Sequence, residues 1–375
     1  MIYLDYSANT PADPAVLHTF VETEQRYIGN ANSTHAAGRA AHARMDEILA
    51  HTAQLLGVQP DELIFTSGAS EANNLALKGM ARASRHVGKH IISTALEHSS
   101  VSGTLTALQE QGCEIDLVDI KRDGTIDLDH LKELLRPDTI AVAVTLVDSE
   151  LGTVQPVQEI AEILKAYPHC HFHVDATQAV GKIPVSFEGV DTMSLTAHKF
   201  YGLNGIGLLL KRRNLALEPL IHGGESTTIY RSGTPTVALA CSLALALDQA
   251  VTELPTRVEH IRALNARLRT GLAKYPKVRI NSPEGAVPQI LNLSVQNVKG
   301  TVFQRELDAR GVCVSVKSAC SSDGMPSKAV FAVSRDRRNA LSSWRISLSH
   351  LTTEEELNGF LAAFDRCLKD LQKEK

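Results

Sequence analysis

The chemistry-bearing residues cluster in a few short segments, of which Ser194-Leu-Thr-Ala-His198-Lys199-Phe-Tyr-Gly202 is the most distinctive. It places a lysine just after a β-rich run, in a glycine-containing loop where a side chain is held at a sheet edge. Taken alone, a lysine there is usually a solvated surface residue and the histidine beside it a structural one. Upstream, His173-Val-Asp175-Ala-Thr-Gln178 ends an apolar strand in a carboxylate that needs a partner. A helix cap or a buried ion pair would supply one. Pyridoxal phosphate satisfies both groups at once, since its aldehyde bonds a lysine and its pyridine nitrogen is kept protonated by a carboxylate.

A phosphate needs backbone N–H donors and hydroxyls. Thr66-Ser-Gly-Ala69-Ser70-Glu-Ala-Asn-Asn offers them where a strand enters a helix, although an ordinary N-cap reads the same way. His98 follows another strand and suits stacking on a cofactor ring or a purely structural hydrogen bond. Ser318-Ala-Cys320-Ser-Ser-Asp-Gly-Met-Pro has the composition of an exposed loop. Free cysteines are mostly buried and inert, but a loop thiol with Lys317 nearby has a route to a lowered pKa. Arg345, in Trp344-Arg-Ile-Ser-Leu, is a guanidinium inside an apolar strand, so it calls for an anionic partner, and a carboxylate held bidentately is one.

These residues must be positioned by a scaffold. β-rich runs at 63–66, 90–94, 114–118, 140–147, 171–175, 193–196 and 206–211 alternate with helical stretches, the pattern of an α/β fold with a mostly parallel sheet. Pro156 opens a helix carrying Val157, Ile160, Ile163 and Leu164 at helical spacing. An apolar helix ends near Val251, and an amphipathic one over 257–275 follows, with Val258, Ile261, Leu264, Leu268 and Leu272 on one face. The texture then changes to strands at 278–280, 290–295, 312–315 and 345–348 mixed with helices near 303–310 and 353–373, a smaller α+β unit. Thr352-Thr-Glu-Glu-Glu opens the last helix as a capped start. The expected division is a large unit over 1–256 and a small unit over 257–375, with residues 1–14 packing on the small one.

The 375 residues are 43% apolar and 21% charged, an ordinary globular balance that argues against disorder or a fibrous repeat. With 38 Lys plus Arg against 42 Asp plus Glu, the net charge of -4 offers no basic field for nucleic acid. The most apolar stretch, 232–247, is interrupted by Thr234, Pro235, Thr236 and Ser242 and falls short of the roughly 20 residues of a membrane span. The N-terminal residues lack a basic start and an apolar core, so a cytoplasmic location is expected. Six cysteines without a CxxC pair suit neither a disulfide framework nor a zinc site, and no metal is expected.

Taken together, these motifs resemble the cysteine desulfurases of NifS/IscS type in the class V aminotransferase superfamily, whose architecture is fold type I. The resemblance spans nearly the whole chain: Tyr3-Leu-Asp-Tyr-Ser-Ala-Asn-Thr-Pro, Gly29-Asn-Ala-Asn-Ser-Thr-His35, Phe65-Thr-Ser-Gly-Ala-Ser-Glu71, Glu97-His98, Glu150-Leu-Gly-Thr-Val-Gln155, the Asp175 and Lys199 segments, Arg231-Ser-Gly-Thr234-Pro, Ser318-Ala-Cys320 and Arg345-Ile-Ser-Leu. It implies a pyridoxal phosphate enzyme converting L-cysteine to L-alanine and passing sulfur, as a protein persulfide, to iron–sulfur cluster or other sulfur biosynthesis. By resemblance Lys199 is the Schiff-base lysine, Asp175 the pyridinium partner, His98 the stacking and proton-transfer residue and Gln178 the donor to the cofactor phenolate. Ser70, Thr196 and His198 resemble the phosphate ligands, with Ala69 contributing backbone. Thr234 would reach the phosphate of a neighbouring subunit, which implies a homodimer. Cys320 resembles the nucleophile and Arg345 the clamp on the substrate carboxylate.

Some positions depart from the family pattern. Asp148-Ser149 stands where two asparagines are usual, so the cofactor contact expected there falls to the shorter Ser149 hydroxyl. Glu225-Ser-Thr-Thr-Ile-Tyr230 replaces a glycine-rich stretch, Ser315-Val-Lys317 replaces Ser-Ser-Gly, and Leu203-Asn204 replaces Pro and Lys. The stretch from Cys320 to Arg345 resembles the longer, mobile loop of the branch that hands sulfur to scaffold proteins, yet the chain ends soon after Arg345, without the tail some members dock with. The sulfur-acceptor protein is therefore left open. Competing readings are a selenocysteine lyase, another β-eliminating lyase, an aminotransferase, or a weakly active regulatory paralogue.

Overall fold

A computed structural model describes residues 1–317 and 325–373. Its centre is a seven-stranded sheet in the order Leu63–Thr66, Gly207–Lys211, Thr192–Thr196, His171–Asp175, Thr139–Thr145, His90–Thr94, Glu114–Val118. Only Gly207–Lys211 runs antiparallel to its neighbours; the other pairings are parallel. The central strands Thr139–Thr145 and Thr192–Thr196 are buried at every residue. This is why Ile140 to Val144 reads as an unbroken apolar run rather than an alternating one, whereas in Thr192–Thr196 small hydroxyl side chains share the buried positions with Met193 and Leu195.

Helices cover the sheet. Ala69–Ala83 lies against its strands, and Val237–Thr252 is buried nearly all round, with Leu243, Ala246 and Leu247 inside the main apolar cluster. The expected apolar helix thus exists, but it starts only after Pro235. The amphipathic helix is Leu254–Ala273, and it seats Ile261, Leu264, Leu268 and Leu272 in a different cluster, with Trp344, Phe303, Phe360 and Phe364. In the last helix, Glu354–Lys373, Thr353 Oγ1 accepts from Glu356 N–H at 3.1 Å while Glu356 Oε2 accepts from Thr353 N–H at 2.9 Å, a reciprocal cap.

The second sheet pairs Val278–Ile280, Ile290–Val295 and Ser343–Ser347 antiparallel. The last of these begins before the expected position 345, and the expected strand at 312–315 shortens to Val312–Cys313. That short strand pairs in parallel with Ile2–Tyr3, and Leu4 is buried in the Trp344 cluster. One expectation needs correction. The described part of the stretch leading to Arg345 is not a long loop, because Lys328–Ser334 and Arg337–Ser342 are helical, with Ala329, Val330 and Ala340 buried in the main core.

Candidate active site

The C-terminal ends of the strands open onto one cavity of about 360 Å3, the place where open α/β sheets bind ligands. Lys199, His98, Asp175, Gln178, Ala69, Ser70, Ser149, Thr196, His198 and Arg345 all line it. Two expected residues do not. Thr234 is exposed in a separate groove with Tyr27, Gly29 and Asn30. Cys320 lies outside the described residues.

The end of the cavity suited to phosphate is made by the helix Ala69–Ala83. Its N-terminus follows Gly68 and carries no side-chain cap, so its first N–H groups and the positive end of its dipole are left to a ligand. The turn is feasible only because two glycines meet. Gly68 has φ 152°, and a Cβ on Gly207 would come within 2.7 Å of the Gly68 Cα. Ser70, Thr196 and His198 surround this end. His198 Nδ1 lies 3.1 Å from Thr196 Oγ1, and burial with the neighbouring Lys199 pushes its pKa down to about 4, leaving a neutral ring.

At the other end Asp175 is buried and fixed by two donors, Asn73 Nδ2 and the Thr177 N–H, each at 2.9 Å. Asn73 is a fully buried residue that the sequence motif contained but to which sequence reasoning gave no role. Its Nδ2 also reaches Ser100 Oγ at 2.9 Å, and its Oδ1 faces His173 Nε2 at 3.0 Å and accepts from Ser194. Ser100 Oγ in turn lies 2.9 Å from His98 Nδ1, which also accepts the Ser100 N–H. Burial pushes His98 below its ordinary pKa. The ring is neutral, and with Nδ1 accepting, the proton sits on Nε2.

Lys199 is oriented by backbone. Its Nζ donates to the carbonyls of Ser7 at 2.8 Å and Ala8 at 2.6 Å, and Gln178 Nε2 donates to the same Ser7 carbonyl at 2.8 Å. The Ser7-Ala8 segment is anchored to the lysine loop through Thr10, whose Oγ1 donates to His198 O and accepts from the Tyr201 N–H. Gln178 Oε1 and Ser7 Oγ are buried without a partner among the described residues, and both residues line the cavity.

Arg345 is 1% exposed and already has an anionic partner. Its NH2 donates to Asp5 Oδ1 at 2.9 Å and its NH1 to the Ser149 carbonyl at 2.7 Å, while Nε has no partner among the described residues. Asp148 shapes this turn by accepting the Glu150 and Leu151 N–H groups, and burial beside Glu150 pushes its carboxyl up to about 7. Both described flanks of residues 318–324 are anchored to this same wall. Ser315 Oγ donates to Asp5 Oδ2 at 2.7 Å and Ser327 Oγ to Glu150 Oε2 at 2.5 Å.

The arrangement fits pyridoxal phosphate. An uncapped helix terminus, a fixed carboxylate, an oriented lysine and an orphaned glutamine oxygen surround one volume. Among the described residues no three His, Cys, Asp or Glu side chains gather as a metal site. No single described helix is long and apolar enough to cross a membrane.

Comparison with known proteins agrees with this geometry. Residues 2–360 match the aminotransferase class-V family, to which the chain belongs, within its NifS/IscS-type cysteine desulfurases of fold type I. It is 37% identical to the cysteine desulfurase IscS of Dictyoglomus turgidum over 99% of this chain and 95% of that one. Its fold is similar to a solved NifS-like protein, with a TM-score of 0.92, 34% identity and coverage of 98% of this chain and 99% of the other. It is also similar to SspA, solved in complex with cysteine, with a TM-score of 0.83, 29% identity and coverage of 94% and 100%.

Proposed function

We propose that the chain is a pyridoxal phosphate-dependent cysteine desulfurase, taking sulfur from L-cysteine, releasing L-alanine and carrying the sulfur on Cys320 as a persulfide. The observation that carries this reading is the convergence of Lys199, Asp175 and the uncapped start of the helix Ala69–Ala83 on a single cavity. When bound, pyridoxal phosphate supplies an electron sink for charge developing at the substrate Cα.

The chain's own residues do the rest. The helix start, Ser70, Thr196 and His198 hold the phosphate. Asp175, fixed by Asn73 and Thr177, keeps a proton on the pyridine nitrogen. Lys199 Nζ, oriented by the Ser7 and Ala8 carbonyls, would hold the cofactor aldehyde and, as a free amine, would take the Cα proton. The ring nitrogen of His98 that carries a proton donates toward the cavity. Gln178 and the Ser149 hydroxyl complete the contacts to the cofactor ring. Arg345, with Nε unpartnered, takes the substrate carboxylate.

Cys320 attacks the substrate sulfur as a thiolate. An S–S bond forms as the Cβ–S bond breaks, the electron pair stays with carbon, and protonation there gives alanine. The anchoring of both flanks of 318–324 to Asp5 and Glu150, on the Arg345 wall, supports placing this thiol at the site.

The wider reading has a large cofactor-binding unit over 1–256 and a small one over 257–375. It is supported by a second apolar cluster in which Leu4 packs with Ile261, Phe303, Trp344 and Phe364, while Val287, Ile290, Ala329, Val330 and Ala340 dock the small unit onto the main cluster. It includes a cytoplasmic homodimer in which the exposed Thr234 serves the neighbour's phosphate, and a sulfur-acceptor protein.

The test is to incubate purified protein with cofactor, cysteine and a reductant and measure sulfide and alanine together. Cys320→Ser is expected to keep cofactor binding and lose sulfide release. Near wild-type sulfide and alanine from that variant would overturn the persulfide mechanism on Cys320, and sulfide accompanied by pyruvate and ammonia instead of alanine would favour a β-eliminating lyase.

A further inference from the structure

Lys199 also borders a second, much smaller cavity, of about 20 Å3, walled by Thr10, Lys182, Arg257, Gln289 and His350. A buried water needs roughly 10 to 15 Å3 by the same kind of measure, so the space admits one water-sized or slightly larger occupant. Its walls are chemically unusual. Lys182 is 8% exposed and its Nζ has no hydrogen-bond partner among the described residues. Gln289 is 3% exposed, and both its amide nitrogen and its amide oxygen are unpartnered.

The remaining groups supply no counter-charge for Lys182. Arg257 is paired with Glu253 at 3.0 Å through Nε and 2.9 Å through NH2, and its guanidinium lies over the Tyr201 ring. Burial and Arg257 push His350 down to about 4, so it is neutral, and burial keeps the phenols of Tyr6 and Tyr201 protonated. Lys199 adds a further positive charge, and no carboxylate is among the described residues lining the cavity. A buried ammonium in such surroundings either sheds its proton or acquires an anion. Burial, Lys199 and Arg345 push Lys182 down to about 7, the value expected of a cation lacking a counter-ion.

We propose that this cavity is a binding site for one small monovalent anion of halide or hydrosulfide size, held by the Lys182 ammonium and the Gln289 amide N–H beside Lys199. An anion there favours the charged forms of both lysines, so its occupancy sets how readily Lys199 holds a proton. The site rests on this geometry alone. Only the choice of hydrosulfide as occupant leans on the desulfurase reading.

Holoprotein crystals soaked in sodium bromide and measured at the bromine edge test it. An anomalous peak within hydrogen-bonding distance of Lys182 Nζ is expected, together with a saturable rise in melting temperature with bromide. Lys182→Met is expected to lose both, and Gln289→Leu to weaken both. No peak in the wild type at molar bromide, or a peak unchanged in Lys182→Met, overturns the proposal. If Lys182→Met does not fold, the wild-type peak and Gln289→Leu decide. Adding sodium hydrosulfide to the bromide crystals separates the sources: loss of the peak assigns the site to hydrosulfide, and its persistence assigns it to halide.

Discussion

Arg345 donates to Asp5 at 2.9 Å across 340 positions of sequence, so part of the cavity wall is an ion pair between segments far apart in the chain. The pair holds the guanidinium plane while Nε stays unpartnered. Arg345→Ala should raise KM for cysteine roughly 10- to 100-fold, since hydrogen bonds to charged groups contribute about 1.5–3 kcal/mol. Asp5→Asn should cost about 1–3 kcal/mol of stability in denaturant unfolding with a smaller change in KM. Unchanged KM and unchanged stability in Asp5→Asn would show that Asp5 does not orient Arg345.

Asn73 connects Asp175, Ser100, Ser194 and His173. Removing it leaves buried groups unsatisfied at about 1–3 kcal/mol each. Asn73→Ala should therefore weaken cofactor affinity roughly 10- to 100-fold, read by titrating cofactor absorbance into protein whose circular dichroism is unchanged. Wild-type affinity would assign Asn73 to packing alone.

The pH dependence of stability has a specific source in Glu97. Burial pushes this carboxyl from its ordinary 4.5 up to about 8. Its Oε1 accepts from Thr94 and the Thr145 N–H, while Oε2 is unpartnered. A group whose pKa is raised by folding contributes stability that is full below about 4.5 and lost as pH rises through about 8. Glu97→Gln mimics the protonated form, so its melting temperature relative to wild type should climb between pH 5 and 8.5, by about 2–4 °C for each 1 kcal/mol, and then level off. A difference that stays flat with pH would place the titration elsewhere.

Thr234 tests the assembly. Its exposure away from its own chain's cavity fits a contact with a neighbour's phosphate. Subunits carrying Lys199→Ala and Thr234→Ala should each lose most activity alone, and mixed dimers should recover one working site each. Failure of mixing to restore activity, or a monomer that works, would contradict a composite site.

The strands of both sheets are legible because they are short apolar-rich runs between turn residues. His90–Thr94, His171–Asp175 and Ile290–Val295 fall where the sequence places them. Ala36–Leu56 is harder to see as a helix, because small Gly38, Ala41, Thr52 and Ala53 share its buried face with Met45 and Ile48, and polar residues are interspersed along it, which gives little contrast along the chain. At the site, side chains with an obvious task were found, and their supports were not. Asn73 acts on a residue 102 positions away, and Ser7 and Ala8 act through carbonyls that every residue has. The stretch before Arg345 was misread as a loop because its helices, Lys328–Ser334 and Arg337–Ser342, are too short to show a periodic pattern.

The carbonyls that orient Lys199 belong to a segment whose neighbouring strand, Ile2–Tyr3, pairs with Val312–Cys313. Thr10 ties the same segment to the lysine loop. The two carbonyls thus hang between two moorings far apart in sequence, and any strain that shifts one mooring against the other is delivered to the Lys199 Nζ.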